Sequence, residues 1–413
     1  MNAVVVSGLG AVGPFGVGAE ALAASWRAGG PSACEVDRAA GYHRPGGARR
    51  ALLAAEVDLA ALVPPAQSRR MSPPARLAVA AARLALADAG LAGLEREAHA
   101  ATGLVVGTAF GPAWVTEQLL SQIFAQGPEA ASPALFIESV ASAAASQVAL
   151  GIGARGPSLA LTGREASDLL ALVDGARLVA TGAARRALVI VVDEMSPLLH
   201  AVLDRFRALA RPEADGREVA RPFDLRRSGA LASEGAAVLV LERPEDVAER
   251  GRRPLVRLAA AARGFDATAP AWDWGAGEGA LAAALAGGLR RGGVEPEAIE
   301  LVVSGAAGTR RGDRLEAGVL RRLFGERLPP IVAPKGSLGA WGGAFVAAAT
   351  LAASGRAIAG AAEGDVEDPA CGVRTAALPP PAPALTLVSS LASGGAAAWV
   401  ALAVGQPGPG SSV

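Results

Sequence analysis

The chain has 413 residues, enough for one large domain or two fused ones, and its 39 basic and 39 acidic residues cancel to zero formal charge. Without a clustered basic excess, neither nucleic acid nor an anionic membrane surface is expected as a partner. Apolar residues make up 51% of the chain and aromatics only 4%, and no run of about 18 uninterrupted apolar residues offers a membrane span.

The first residues, MNAVVVSGLG, lack a basic n-region and reach Gly too early for a signal peptide, so a cytoplasmic protein is expected. Short β-rich runs then alternate with helical patterns. Val4–Ser7, Gly103–Gly107, Ser158–Thr162, Ala187–Asp193 and Ala236–Glu242 are strands of a first half. Pro254–Leu258, Leu301–Ser304, Leu385–Ser389 and Ala398–Val404 are strands of a second. Several are continuously apolar, as in strands covered on both faces by helices. Ala/Leu-rich helices are expected at Pro74–Leu91, Glu165–Gly182 and Gly277–Gly288. The alternation implies a layered α/β architecture. The polar, charged stretch 243–253 is the natural joint, dividing the chain into halves at 1–250 and 251–413. The Pro-rich run Leu378–Pro383 reads as an extended connector and the tail QPGPGSSV as frayed. Cys34 and Cys371 lie in loop-like stretches, with no disulfide expected. His43, His99 and His200 lack metal-ligand spacing and read as surface or loop residues, and no metal is expected.

Three segments carry a family resemblance. The opening VVVSGLGAVGPFG is a strand followed by a Gly-rich turn; Arg221–Glu242 reads RPFDLRRSGALASEGAAVLVLE; Ser132–Leu161 reads SPALFIESVASAAASQVALGIGARGPSLAL. The second, including Glu234, matches the R-P-F-D-x-x-R-x-G-x-x-x-x-E-G-A-x-V-L-V-L-E block of the β-ketoacyl-ACP synthase family almost residue for residue. The resemblance runs from residue 4 to about 400 and implies the thiolase-like fold: two similar halves in a five-layered α-β-α-β-α body, usually a dimer. No cofactor is implied.

Active members of that family use a Cys at the head of a buried helix and two His residues. The helix N-terminus favours the thiolate, and the imidazoles donate hydrogen bonds to the enolate. The family's G-P-x-x-x-x-x-T-A-C-x-S appears here as GPSLALTGREAS, with Glu165 at the nucleophile position, Ser167 retained and Asp168 where a Gly is common. The loop of the first His reads GAAGTRRGD, with Gly305 in its place and Thr309, Gly312 and Asp313 retained. The loop of the second reads KGSLGAWGGA, with Ala340 in the His place and Lys335 retained. The C-terminal Gly-rich loop SSLASGGAA carries Leu391 and Ser393 where the family has Phe. No catalytic residue is therefore expected.

The pattern resembles the chain-length factor, the β subunit of type II polyketide synthases. That resemblance implies a catalytic ketosynthase subunit and an acyl carrier protein as partners. It also makes Phe136, Ile137 and Val140 candidates for tunnel or interface positions, with ordinary core as the alternative. Glu165 at a helix N-terminus suits the macrodipole, and an ion pair with Arg310 or Arg311 is expected to plug the old pocket. A decarboxylase-like role for Glu165 is the other reading.

Overall fold

The computed structural model describes residues 3–54, 57–360, 366–377 and 379–405. Leu378, at the head of the Pro-rich connector, and the tail QPGPGSSV lie outside the described residues. The strands are β1 (Val4–Gly13), β2 (Gly16–Val17), β3 (Cys34–Glu35), β4 (Arg50–Leu52), β5 (Thr102–Gly107), β6 (Ser158–Leu161), β7 (Arg186–Asp193), β8 (Ala232–Ser233), β9 (Gly235–Glu242), β10 (Val256–Phe265), β11 (Leu301–Ser304), β12 (Ile331–Val332), β13 (Leu385–Leu391) and β14 (Ala396–Val404). One path runs β12-β11-β13-β14-β10-β1-β9-β7-β5-β6. The pairing from β6 inward is parallel, parallel, antiparallel, antiparallel. It is repeated from β12 inward. The two five-stranded halves meet where Val4–Val6 of β1 pair with Val256–Leu258 of β10.

Alternate side chains of each strand enter different cores. In β7, Leu188, Ile190 and Val192 pack under the helices Pro73–Asp88 and Ala143–Ile152, whereas Ala187, Val189 and Val191 face the centre of the molecule. In β14, Ala397, Trp399 and Ala401 pack under Glu278–Gly292 and Arg310–Phe324, while Ala398, Val400 and Leu402 join the same central core. The helices Ser167–Ala180 and Ala344–Ala353 fill that centre and touch strands of both halves. Five layers result: helices, sheet, helices, sheet, helices. Strands buried on both faces explain why so many read as unbroken apolar runs.

Several expectations needed correction. The first strand continues through Gly8 and Gly10 rather than ending at Ser7. A Cβ at Gly8 would stand 2.4 Å from the Ala85 carbonyl and one at Gly10 2.1 Å from that of Ala81, so these glycines admit a helix rather than break a strand. The strand expected to end at Leu258 runs to Phe265 through a run of alanines, because pairing with β14 overrides their helix preference. The joint 243–253 contains a short helix, Pro244–Glu249, with Val247 buried. The edge strand β12 gave no sequence signal at two residues. His99 and His200 are buried rather than superficial, and the His200 Nδ1 lies 3.1 Å from the His43 Nε2. Burial lowers the His200 pKa to about 4, so the ring is neutral at neutral pH. Both cysteines are free thiols, Cys34 exposed and Cys371 buried. Among the described residues, no helix is long and apolar enough to cross a membrane.

Candidate functional site

The edge strand β6 leads into Gly163, a single 3-10 turn Arg164–Ala166, and the central helix Ser167–Ala180. Arg164 has a φ of 50°, a left-handed conformation uncommon for a side-chain-bearing residue. The retained Ser167 holds this corner. Its hydroxyl accepts from the Gly163 N–H at 2.8 Å and donates to the Thr108 carbonyl at 2.9 Å.

Glu165 sits on the corner. Its carbonyl accepts from the Ser390 hydroxyl at 2.7 Å and the Lys335 ammonium at 3.1 Å. Its carboxylate accepts from both the backbone N–H and the hydroxyl of Ser393, each at 3.1 Å. Lys335 is buried, 4.6 Å from the centre of the Phe345 ring and 4.0 Å from the Asp168 carboxylate. Burial raises the Asp168 pKa and the Lys335 charge pulls it back.

The expected ion pair does not form. The Arg310 Nε donates to the Arg227 carbonyl at 3.3 Å, and Arg311 pairs with Asp273. The first turn of the helix Arg310–Phe324 is tied to Arg227, whose guanidinium donates to the Arg310 carbonyl and whose own carbonyl accepts from the Arg310 Nε. Ser393, in the Gly-rich loop after β13, supplies the partner that the arginines were expected to supply.

The loop of the first His position is built around Asp313. Its carboxylate accepts backbone N–H bonds from Phe223, Ala307, Gly308 and Thr309. Burial raises its pKa to about 6 against those donors. Gly305 donates its N–H to Glu316 at 3.3 Å. A Cβ at Gly305 would lie 2.8 Å from the Ser389 carbonyl oxygen and 3.1 Å from the Ser390 Cα, so the backbone leaves no space for a side chain. In the loop of the second motif, the Ala340 N–H donates to the Leu231 carbonyl at 3.0 Å. Beside it Trp341 meets Phe110 edge-on, ring centres 5.4 Å apart. Asp193 fixes the loops carrying both rings by accepting from the Ala109 N–H at 2.7 Å and the Gly342 N–H at 3.3 Å. The retained Glu234 likewise ties Ala54 to Met195 through their N–H groups.

Glu165, Gly305 and Ala340 line one open cavity of about 1040 Å³. Arg310, Arg311 and Leu391 share its walls. Sequence reasoning passed over Trp272 and Trp274, between β10 and the helix Glu278–Gly292, and Arg207 and Arg211, in the segment after the helix Pro197–Arg205, all of which line the cavity. The available signal was the WDW triplet between Pro270 and Gly275. Phe136 and Ile137 are each 63% exposed and Val140 44%, which excludes a place in this chain's core and keeps them out of the cavity. No three His, Cys, Asp or Glu side chains among the described residues converge as a metal site.

Layered halves of this topology, with three motif loops meeting at a central-layer helix, define a condensing-enzyme scaffold. The chain belongs to the β-ketoacyl synthase family: residues 1–247 match the N-terminal domain of β-ketoacyl synthase and residues 259–359 the C-terminal domain. Within that family it is similar to the tetracenomycin polyketide synthase ketoacyl synthase beta subunit of Streptomyces glaucescens. The two are 32% identical over 394 residues, which is 92% of this chain and 90% of that one. Its structure is similar to that of the ishigamide ketosynthase/chain length factor, with a TM-score of 0.83 and 27% identity, covering 98% of this chain and 100% of that one. A β-ketoacyl synthase from Burkholderia phymatum has the same fold, with a TM-score of 0.84 at 24% identity over 98% of this chain and 100% of that one.

Proposed function

We propose that this chain is the non-catalytic, ketosynthase-like subunit of a polyketide synthase, a chain-length factor. It pairs with a catalytic ketosynthase and shapes the tunnel in which the acyl chain grows. The partner's thiolate and imidazoles carry out the decarboxylative Claisen condensation on acyl carrier protein. The observation that carries this reading is the content of the three positions facing the cavity. Glu165 offers a carboxylate already engaged by Ser393, and Gly305 and Ala340 offer no side-chain donor for an enolate oxygen.

The surface supports it. The strand β6 is the end of the sheet path, and its Ser158, Leu159 and Ala160 are exposed. Near it in sequence, Phe136, Ile137 and Leu150 stand in solvent at 63–67% exposure. An unpaired strand edge with apolar neighbours is a surface that a second subunit covers. Phe136, Ile137 and Val140 are accordingly proposed as interface or tunnel positions contributed to the pair.

The test is co-expression with an intact Cys-His-His ketosynthase, co-purification, and supply of malonyl-loaded carrier protein. Condensation is expected from the pair and from neither subunit alone. Full chain extension by the ketosynthase without this chain would refute the assignment. A second reading, a stand-alone binder of acyl chains, is favoured by the open cavity and would appear as a homodimer that no ketosynthase displaces. Release of acetyl-carrier protein by the isolated chain, abolished by Glu165→Ala, would instead establish chemistry at Glu165.

A further inference from the structure

Two of the chain's three histidines, 157 positions apart in sequence, meet where a loop is fastened to a helix. The loop, residues 36–49, joins β3 to β4 without regular secondary structure, and the Val36 N–H closes its ends by donating to the Arg49 carbonyl at 2.8 Å. Such a compact surface loop holds its own shape. Inside it, Arg38 donates to the Arg44 and Ala48 carbonyls at 2.9 and 3.0 Å. On the helix Pro197–Arg205, the Asp204 carboxylate accepts from the Arg44 Nε at 2.9 Å and the Ala48 N–H at 3.1 Å. A Cβ at Gly47 would stand 2.2 Å from the Asp204 Oδ2, so the approach needs glycine there. The remaining ties are Tyr42 to Glu117, on the surface, and His43 to His200.

The surroundings of the histidine pair dictate where its protons sit. The Arg50 carbonyl can only accept, so the His200 Nε2, 3.2 Å away, carries a proton and the His200 Nδ1 is a lone pair. The 3.1 Å contact at that Nδ1 is then a hydrogen bond donated by the His43 Nε2. The His43 Nδ1 is left as a buried lone pair, without a partner among the described residues. A proton added to the His200 Nδ1 would confront the His43 N–H. A proton placed on the His43 Nδ1, added or moved there from Nε2, would be a buried donor with no acceptor. Both arrangements are costly, whereas an open loop would hydrate either ring.

We propose that the imidazole pair is an acid-sensitive clasp, which holds the loop 36–49 on the helix Pro197–Arg205 while both rings are neutral and releases it when either is protonated. Burial and Arg38 lower the His43 pKa against the pull of Asp204 and Asp37. Burial lowers that of His200 to about 4; His43 and Arg38 add to this, and the Arg50 carbonyl and Asp204 oppose it. At Asp204, burial is outweighed by Arg44 and the Ala48 N–H, so its pKa lies below 3.8 and it stays ionised in mild acid. Glu218, which accepts the Arg49 and Arg50 N–H groups, has its pKa raised by burial, so its protonation favours the closed loop and opposes the histidines. The Arg50 guanidinium turns away to the Ala33 carbonyl. For His200, with an ordinary value of 6.5, the clasp is full above pH 6.5 and is lost as pH falls towards 4. From pH 7.5 to 5.0, His200 alone should raise the opening equilibrium of the loop roughly 30-fold.

The clasp is built by this chain alone, so hydrogen exchange of the purified full-length protein tests it without a partner subunit. Protection factors, corrected for the intrinsic effect of pH, should fall roughly 30-fold at the Ala48 amide between pH 7.5 and 5.0 and hold steady in the helix Ser167–Ala180. His43→Gln combined with His200→Asn places a neutral amide donor against a neutral amide acceptor, and should make the loop's protection equal at the two pH values. Equal protection of the parent at both pH values, loss shared with Ser167–Ala180, or acid loss that persists in the double variant would overturn the proposal. A second measurement needs no variant: with three histidines in the chain, nitrogen-15 spectra of the histidine-labelled protein should show His43 and His200 both as Nε2–H tautomers at pH 7.5. An Nδ1–H on either ring would equally overturn it.

Discussion

Reinstating the family's side chains should not reinstate its chemistry, and position 305 is where that expectation is sharpest. A methyl group at Gly305 would meet the Ser389 carbonyl oxygen at 2.8 Å and the Ser390 Cα at 3.1 Å, both backbone atoms of the buried strand β13. Relieving such overpacking costs about 1–3 kcal/mol. The restricted unfolded chain returns about 0.4–1 kcal/mol for Gly→Ala. Gly305→Ala should therefore destabilise by about 1–2 kcal/mol, and Gly305→His by more. Gly279, in the helix Glu278–Gly292, has nothing within 4 Å of its missing Cβ, so Gly279→Ala should stabilise by up to about 1 kcal/mol. Urea unfolding followed by far-UV circular dichroism measures both. The triple variant Glu165→Cys, Gly305→His, Ala340→His should be less stable than the parent and show no condensation. If Gly305→Ala unfolds at or above the parental midpoint, the steric argument is wrong.

Other substitutions probe the surrounding network. Lys335→Met removes the cation beside buried Asp168 and one donor to the Glu165 carbonyl, and should cost about 3 kcal/mol in urea unfolding. Asp368→Ala leaves Arg227, whose side chain is 5% exposed, without its carboxylate and should cost a similar ~3 kcal/mol. The exposed pair of Arg311 and Asp273 should matter far less, with Arg311→Ala shifting stability by under about 1 kcal/mol. Burial raises the Glu194 pKa from 4.5 to about 7, with Glu234 and Asp193 reinforcing it and the Trp114 N–H opposing. The folded state thus keeps a proton that the unfolded state has released, so this group's contribution is full below pH 4.5 and is lost as pH rises through about 7. Parental stability should fall relative to Glu194→Gln across that window, and parallel curves for the two proteins would contradict the assignment.

The layered fold was legible because buried parallel strands write themselves as apolar runs, and the block at 221–242 placed the chain in its family. Glycine misled twice in one strand: Gly8 and Gly10 looked like punctuation but serve the close approach of a helix, a relation that no local pattern encodes. Glu165, Gly305 and Ala340, expected from three separate motifs, line one cavity. The partner of Glu165 was not legible in the sequence. Arg310 and Arg311 are near in motif terms, but their partners, the Arg227 carbonyl and Asp273, come from segments distant in sequence. Burial of His200 was equally hidden, since its neighbours in sequence include Asp204 and Arg205 and its covering residues come from the segment around His43 and Arg50.

The central helix layer bears on how the protein is made. Ser167–Ala180 is synthesised with the first half, yet part of its cover is β14, more than 200 residues further along the chain. At typical synthesis rates of roughly 5–20 residues per second, that delay is on the order of 10 to 40 seconds. Throughout it, the first sheet is complete through β9 while the face of Ser167–Ala180 that will meet β14 lacks its final cover. The order of synthesis thus leaves the central helix part-covered while one half of the sheet path can already pair.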